Sequence, residues 1–139
     1  MVILDTNVLS ALIKDEPDSL IESWLDGQAD VSVWTTAINI FEIRYGLAIM
    51  PAGRRQSLML AAFERIIEEI LESRILLFDR PAAEHAALLM ARRKSAGRPI
   101  DLRDTMIGGI ALAQRATIAT RNVRHFADLD VPVVDPWSK

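Results

Sequence analysis

Apolar positions in this 139-residue chain fall in short dense runs rather than strict alternation. Val2-Ile3-Leu4 ends at Asp5 and predicts a buried strand. Asp5-Thr6-Asn7 can cap a helix in which Val8, Leu9, Leu12 and Ile13 form an apolar stripe, broken by Pro17. A second short helix is expected over 18–26, with Leu20, Ile21, Trp24 and Leu25 on one side and Gly27 at its end. Val31 to Trp34 predicts a second strand, then Thr35-Thr36 and a helix from Ala37 to Met50. Pro51-Ala52-Gly53 separates that helix from a long one over 54–72. Ile75 to Phe78 predicts a third strand; Asp79 and Pro81 then open a helix that runs to Ser95 and stops at Gly97. A last helix is expected from Asp101 to Arg115, then strands at Thr117–Ala119 and Val131–Val134.

Short apolar strands alternating with helices predict a parallel sheet covered on both faces. The expected architecture is a single three-layer α/β/α domain over 1–139 with a short central parallel sheet. Gly108-Gly109 inside the last helix costs about 1 kcal/mol per residue relative to Ala, which implies close backbone approach, expected against the sheet. Cysteine is absent, so disulfide and thiolate chemistry are excluded and a reducing, cytoplasmic location is expected. Met-Val-Ile-Leu-Asp is no secretory signal, and no apolar run approaches the roughly 18 residues of a membrane span. The net charge of −3 runs against a polyanion substrate, although carboxylates that hold cations count as negative in such a sum.

Sites in open α/β sheets form beyond the carboxyl ends of the strands. Asp5, Thr6 and Asn7 come after strand one, Thr35 and Thr36 after strand two, and Thr120, Arg121 and Asn122 after strand four. Asp5 can serve there or simply cap a helix. Glu42 lies in a helix whose only other charge is Arg44, and it shares a face with Ile38, Asn39, Tyr45 and Gly46. A carboxylate in such surroundings is costly unless it is paired or binds a metal. Asp104 begins a largely apolar helix; the earlier Asp101 is better placed to complement the helix dipole. Three acids at one edge would repel one another unless a cation joined them, and oxygen-only ligands favour Mg2+ or Mn2+. Spacing alone does not bring the three together.

Val-Ile-Leu-Asp5-Thr6-Asn7, Thr36-Ala-Ile-Asn-Ile-Phe-Glu42-Ile-Arg-Tyr-Gly46, Asp104-Thr-Met-Ile-Gly-Gly, Ala119-Thr120-Arg121-Asn122 with Phe126, and the ending Val-Val-Asp-Pro-Trp137 occur in that order. Together they resemble the PIN-domain toxins of bacterial toxin–antitoxin pairs, the VapC-type proteins and especially their FitB-like branch. The resemblance implies hydrolysis of RNA phosphodiester bonds with Mg2+ or Mn2+ and gives metal-ligand roles to Asp5, Glu42 and Asp104. It implies a hydroxyl role for Thr6 or Thr120. The family's fourth acidic position is matched by Asn122, a weaker ligand, with Asp101 and Asp128 as possible substitutes. A protein antitoxin is implied as partner, expected to insert an Arg among the acids and to lie in an apolar groove involving Leu9, Leu12 and Trp24.

Arg121 and Arg124 flank the expected edge and are the better candidates for RNA contact. Arg54-Arg55 and Arg92-Arg93-Lys94 read mainly as solvated faces, His85 as a surface residue, His125 as lying just past the site, and Trp24, Trp34 and Trp137 as packing residues. The apolar content, including Leu47, Ile49, Met50, Leu58, Leu60 and Phe63, predicts a homodimer, with a larger assembly possible with the antitoxin. Two alternatives compete. A phospho-aspartate hydrolase would place a second Asp where Asn7 stands. A catalytically silent PIN-like module that binds RNA or a partner would not need the acidic trio.

Overall fold

The computed structural model describes residues 1–28 and 31–138. Five strands, β1 (Val2–Leu4), β2 (Val33–Thr36), β3 (Ile75–Leu76), β4 (Thr117–Ala119) and β5 (Val133–Val134), form a parallel sheet in the order β3-β2-β1-β4-β5. Val2 pairs with Val33 on one side and with Thr117 on the other. Side chains alternate between the faces of a strand. Val2, Leu4, Val33 and Ala119 accordingly pack beneath α1 (Thr6–Ile13), α2 (Ser19–Asp26), α3 (Ala37–Ala48) and α4 (Arg54–Arg65), against Leu9, Ile21, Ile43 and Phe63. Ile3, Leu76 and Ile118 face the other way, toward Leu89 of α5 (Arg80–Ser95) and Ile107 and Ile110 of α6 (Leu102–Gln114). The three-layer arrangement expected from the pattern is the one observed.

Several boundaries differ from expectation for local reasons. β2 begins at Val33 and includes Thr35 and Thr36, which pair with Ile75 and Leu76. The two threonines thus extend the strand, as β-branched residues do well, and Thr36 also caps α3. β3 stops at Leu76, and Leu77 is exposed. β5 is only Val133–Val134. The long helix after Gly53 is α-helical to Arg65 and then forms a π turn, Ile66–Ile70, closed by the Leu71 amide on the Ile66 carbonyl. That i→i+5 spacing brings Ile66 and Leu71 together into the core, where an α-helix would splay them.

The glycine pair approaches α5, not the sheet. A Cβ on Gly109 would stand 2.5 Å from the Ala82 carbonyl oxygen and 2.6 Å from the Ala86 Cβ, and one on Gly108 would meet Leu89 and Leu129. α3 buries Asn39, Ile43 and Leu47 at helical spacing and turns Phe41, Tyr45 and Ile49 outward. Of the residues expected at a dimer face, Leu47 and Phe63 belong to the core, Met50 and Leu60 pack partly against it, and Ile49 and Leu58 are exposed. Among the described residues no helix is long and apolar enough to cross a membrane.

Candidate active site

The chain leaves β1 toward β2 and β3 on one side and returns to β4 on the other. The carboxyl ends of β1 and β4 therefore flank a topological switch point, where this class of sheet opens a crevice. Asp5 leaves β1 there and is only 3% exposed. Its Oδ1 accepts from the Thr6 amide at 2.8 Å, capping α1, and from Asn39 Nδ2 at 2.9 Å. Its Oδ2 accepts from the Thr120 hydroxyl at 2.8 Å, directly after β4. Asp5 thus caps α1 and at the same time lines a cleft at this edge.

Glu42 reaches the same place from α3. Its Oε1 accepts from the Thr6 hydroxyl at 2.9 Å, and its Oε2 lies 3.7 Å from the Arg103 guanidinium. Its half-burial comes from these neighbours rather than from its helix, since Phe41, Tyr45 and Gly46 are exposed. Asp104 enters from the first turn of α6, and its Oδ2 lies 2.8 Å from His125 Nδ1. An ionised carboxylate only accepts, so the imidazole donates from Nδ1. Burial pushes the Glu42 carboxyl above its usual range, repulsion from Asp5 and Asp104 adds to this, and the Thr6 hydroxyl and Arg103 oppose it. Burial and then the charge of Asp5 do the same to Asp104, against His125.

Asp5, Glu42 and Asp104 line one cleft of about 370 Å3 together with Asn7, Arg121, Asn122 and Trp137. Each acid keeps one oxygen with accepting capacity to spare. Among the described residues Glu42 Oε2 and Asp104 Oδ1 accept no hydrogen bond, and Asp5 Oδ2 accepts only that of Thr120. Such an all-oxygen donor set suits a hard divalent cation, which would also relieve the mutual repulsion. Among the described residues no three acidic or imidazole side chains close into a tight cage around an ion.

A family model, that of the PIN domain, matches residues 2–132 of the chain. The chain belongs to the PIN-domain family. It is 37% identical over 137 residues to the VapC ribonuclease Y4jK of Sinorhizobium fredii, covering 99% of this chain and 98% of that protein. It is 33% identical to the toxin FitB of Neisseria gonorrhoeae, with 99% of both chains covered. The solved structure of FitAcB from Neisseria gonorrhoeae superposes with a TM-score of 0.88 at 32% identity, covering all of both chains.

Around this PIN-domain cleft the remaining candidates sort clearly. Asn122 lines it, its backbone amide donating to the Thr120 hydroxyl at 3.0 Å. Arg121 lines it too, lying 3.9 Å over the Trp137 ring, while the Trp137 Nε1 donates to Asp18. Trp137 therefore packs on the core, as expected, and also forms part of the cleft wall. Arg124 is exposed on the 3-10 turn Val123–His125 and does not line the cleft. Asp101 caps α6 by accepting from the Arg103 amide. Asp128 does not line the cleft, and both its oxygens accept from Arg93. Arg93 corrects the reading of its basic run as a solvated face, being buried. Of the residues expected in an apolar groove, Leu9 is core and Trp24 packs against the core, whereas Leu12, though itself buried, lines a cleft of about 320 Å3 with Leu25, Val33 and Arg74.

Three roles escape the sequence. Asn39 is fully buried and bridges Asp5 and the Thr6 hydroxyl; its one signal is an amide in an otherwise apolar helix. Arg103 faces Glu42, and His125 holds Asp104. These two depend on long-range pairing, which no local pattern announces. Both hydroxyls singled out by the resemblance lie on the acids, Thr6 on Glu42 and Thr120 on Asp5.

Proposed function

We propose that this chain is a divalent-metal-dependent ribonuclease that hydrolyses RNA phosphodiester bonds as the toxin of a toxin–antitoxin pair. The observation that carries the reading is the convergence of Asp5, Glu42 and Asp104, from β1, α3 and α6, on one cleft with accepting capacity left on each. Mg2+ or Mn2+, when bound, lowers the pKa of a water and offsets the charge of a phosphate. The three acids would hold the ion through those oxygens. Thr120, Asn39 and the Thr6 amide fix the Asp5 carboxylate, so little reorganisation is needed there. Asn122 adds a neutral oxygen at the mouth, which favours one firmly held ion over two. Arg121, seated on Trp137 in the cleft wall, is the proposed contact for an RNA phosphate, and the exposed Arg124 is a second candidate outside the cleft lining.

The names of its relatives include a ribonuclease and a toxin, and one structural neighbour is FitAB bound to a DNA fragment. By this likeness the chain has a cognate antitoxin, which would insert a basic side chain among the acids; a guanidinium can bond two carboxylate oxygens at once. Leu9 is fully buried and offers the antitoxin no surface; the cleft that Leu12 lines with Leu25 and Val33 remains for it. The chain acts in the cytoplasm as a homodimer through the exposed stripe of α3, Phe41, Tyr45 and Ile49, with Leu58 of α4. Phe41 and Tyr45 stack with ring centroids 6.4 Å apart. A catalytically silent binding module would have no use for three carboxylates in one cleft, two of them raised in energy by burial. Incubation of the pure protein with end-labelled RNA separates the two: cleavage should require Mg2+ or Mn2+ and stop with a chelator. RNA binding without cleavage under any metal would favour the silent module.

A further inference from the structure

Arg93 of α5 is 3% exposed and takes no part in the acidic cleft. Its guanidinium nevertheless ties together the two backbone segments that deliver Asp104 and His125. Nε and Nη2 donate to the two oxygens of Asp128 at 2.9 and 2.8 Å. Nη2 also donates to the His125 carbonyl at 2.7 Å. Nη1 donates to the hydroxyl of Thr105, the residue after Asp104, at 3.0 Å. The His125 ring then bonds Asp104 at 2.8 Å while remaining partly exposed.

We propose that Arg93 is a positioning residue for the acidic cleft: by pinning the start of α6 and the 123–128 segment to each other, it holds the His125 ring on Asp104 and so aims the free Asp104 oxygen into the cleft. A planar fork that donates to a carboxylate, a carbonyl and a hydroxyl at once fixes orientation as well as distance, which Lys could not do. A purely structural Arg would stabilise the fold without governing the imidazole. The part of the proposal that concerns metal rests on the ribonuclease reading; the part that concerns the ring does not.

The test uses the metal-free full chain. Nitrogen-15 NMR of the His125 ring should show the Nδ1–H form in the native protein. Arg93→Met should shift it toward the Nε2–H form that free histidine prefers, and Asp128→Asn, a milder change at a partly exposed partner, should shift it in the same direction. Arg74→Met is the control, since Arg74 also bonds backbone carbonyls, those of Val33 and Ile70, but away from the cleft; it should leave the ring unchanged. Calorimetric Mn2+ affinity should fall by about tenfold in Arg93→Met, the usual effect of losing an outer partner of a ligand, and should be unaffected in Arg74→Met. An unaltered His125 ring in both Arg93→Met and Asp128→Asn overturns the proposal, as does an altered ring with native Mn2+ affinity. A native protein that binds no Mn2+, with the ring still freed by Arg93→Met, removes the metal reading and leaves the clamp standing.

Discussion

At the scale of single residues, the cleft trades stability for chemistry. Burial and mutual repulsion raise Glu42 and Asp104, so neutralising either should relax the metal-free fold. Asp104→Asn is expected to raise the melting temperature of metal-free protein, with a gain of about 1 kcal/mol typical of such relief. It should at the same time reduce RNA cleavage by about 100-fold or more. Differential scanning calorimetry and a cleavage assay on one preparation check both signs. Asp128 behaves oppositely. The Arg93 hydrogen bond holds its carboxyl below the usual range, with burial opposing and Arg98 adding to the effect. The folded state therefore binds fewer protons than the unfolded chain between the two pKa values. Its contribution is complete above the unfolded value of about 3.9 and disappears as pH falls through the folded value. Melting curves between about pH 5 and pH 2 should fall more steeply for native protein than for Asp128→Asn; parallel curves would show that this pair contributes nothing to acid stability.

At the scale of elements, two backbone positions should respond to glycine in opposite ways. Gly109→Ala forces a methyl group onto the Ala82 carbonyl and the Ala86 side chain, so α5 and α6 must separate. Overpacking of this kind costs about 1–3 kcal/mol. Arg115 ends α6 in the left-handed region at φ 52°. Arg115→Gly should stabilise by about 1 kcal/mol. Urea midpoints of the two variants should move apart around the native value. The contrast also shows what can be read from the chain and what cannot. β1, the α1 cap at Asp5, the α6 cap at Asp101 and the existence of a glycine contact are announced by local pattern, because adjacent residues decide them. The partner of the glycines, α5 rather than the sheet, is a tertiary choice. So is the burial of Arg93, which sits in a run of like charges and finds Asp128 35 residues away. The acids are legible as candidates by their apolar neighbours and by family likeness. Glu42 nevertheless owes its burial to Thr6 and its site rather than to α3, whose neighbouring face is open.

At the scale of the whole molecule, one sheet separates two tasks. Its carboxyl edge gathers the acids, while the outer face of α3 and α4 leaves Phe41, Tyr45, Ile49 and Leu58 exposed. Contiguous apolar surface of this sort marks interfaces. Light scattering at micromolar concentration should give a dimer mass for native protein and a monomer mass for the double substitution Phe41→Ser and Ile49→Asp; a monomeric native protein would remove this interface. On the proposed reading, Asp5, Glu42 and Asp104 would hold a divalent ion that supplies an activated water, so that hydrolysis needs no help from a ribose hydroxyl. The most direct measurement is the chemistry of the ends left on an RNA cut in Mn2+. New 5′-phosphates, appearing only with metal and absent with Asp104→Asn, are the expected result. Ends carrying 2′,3′-cyclic phosphate, or cutting that survives a chelator, would contradict it.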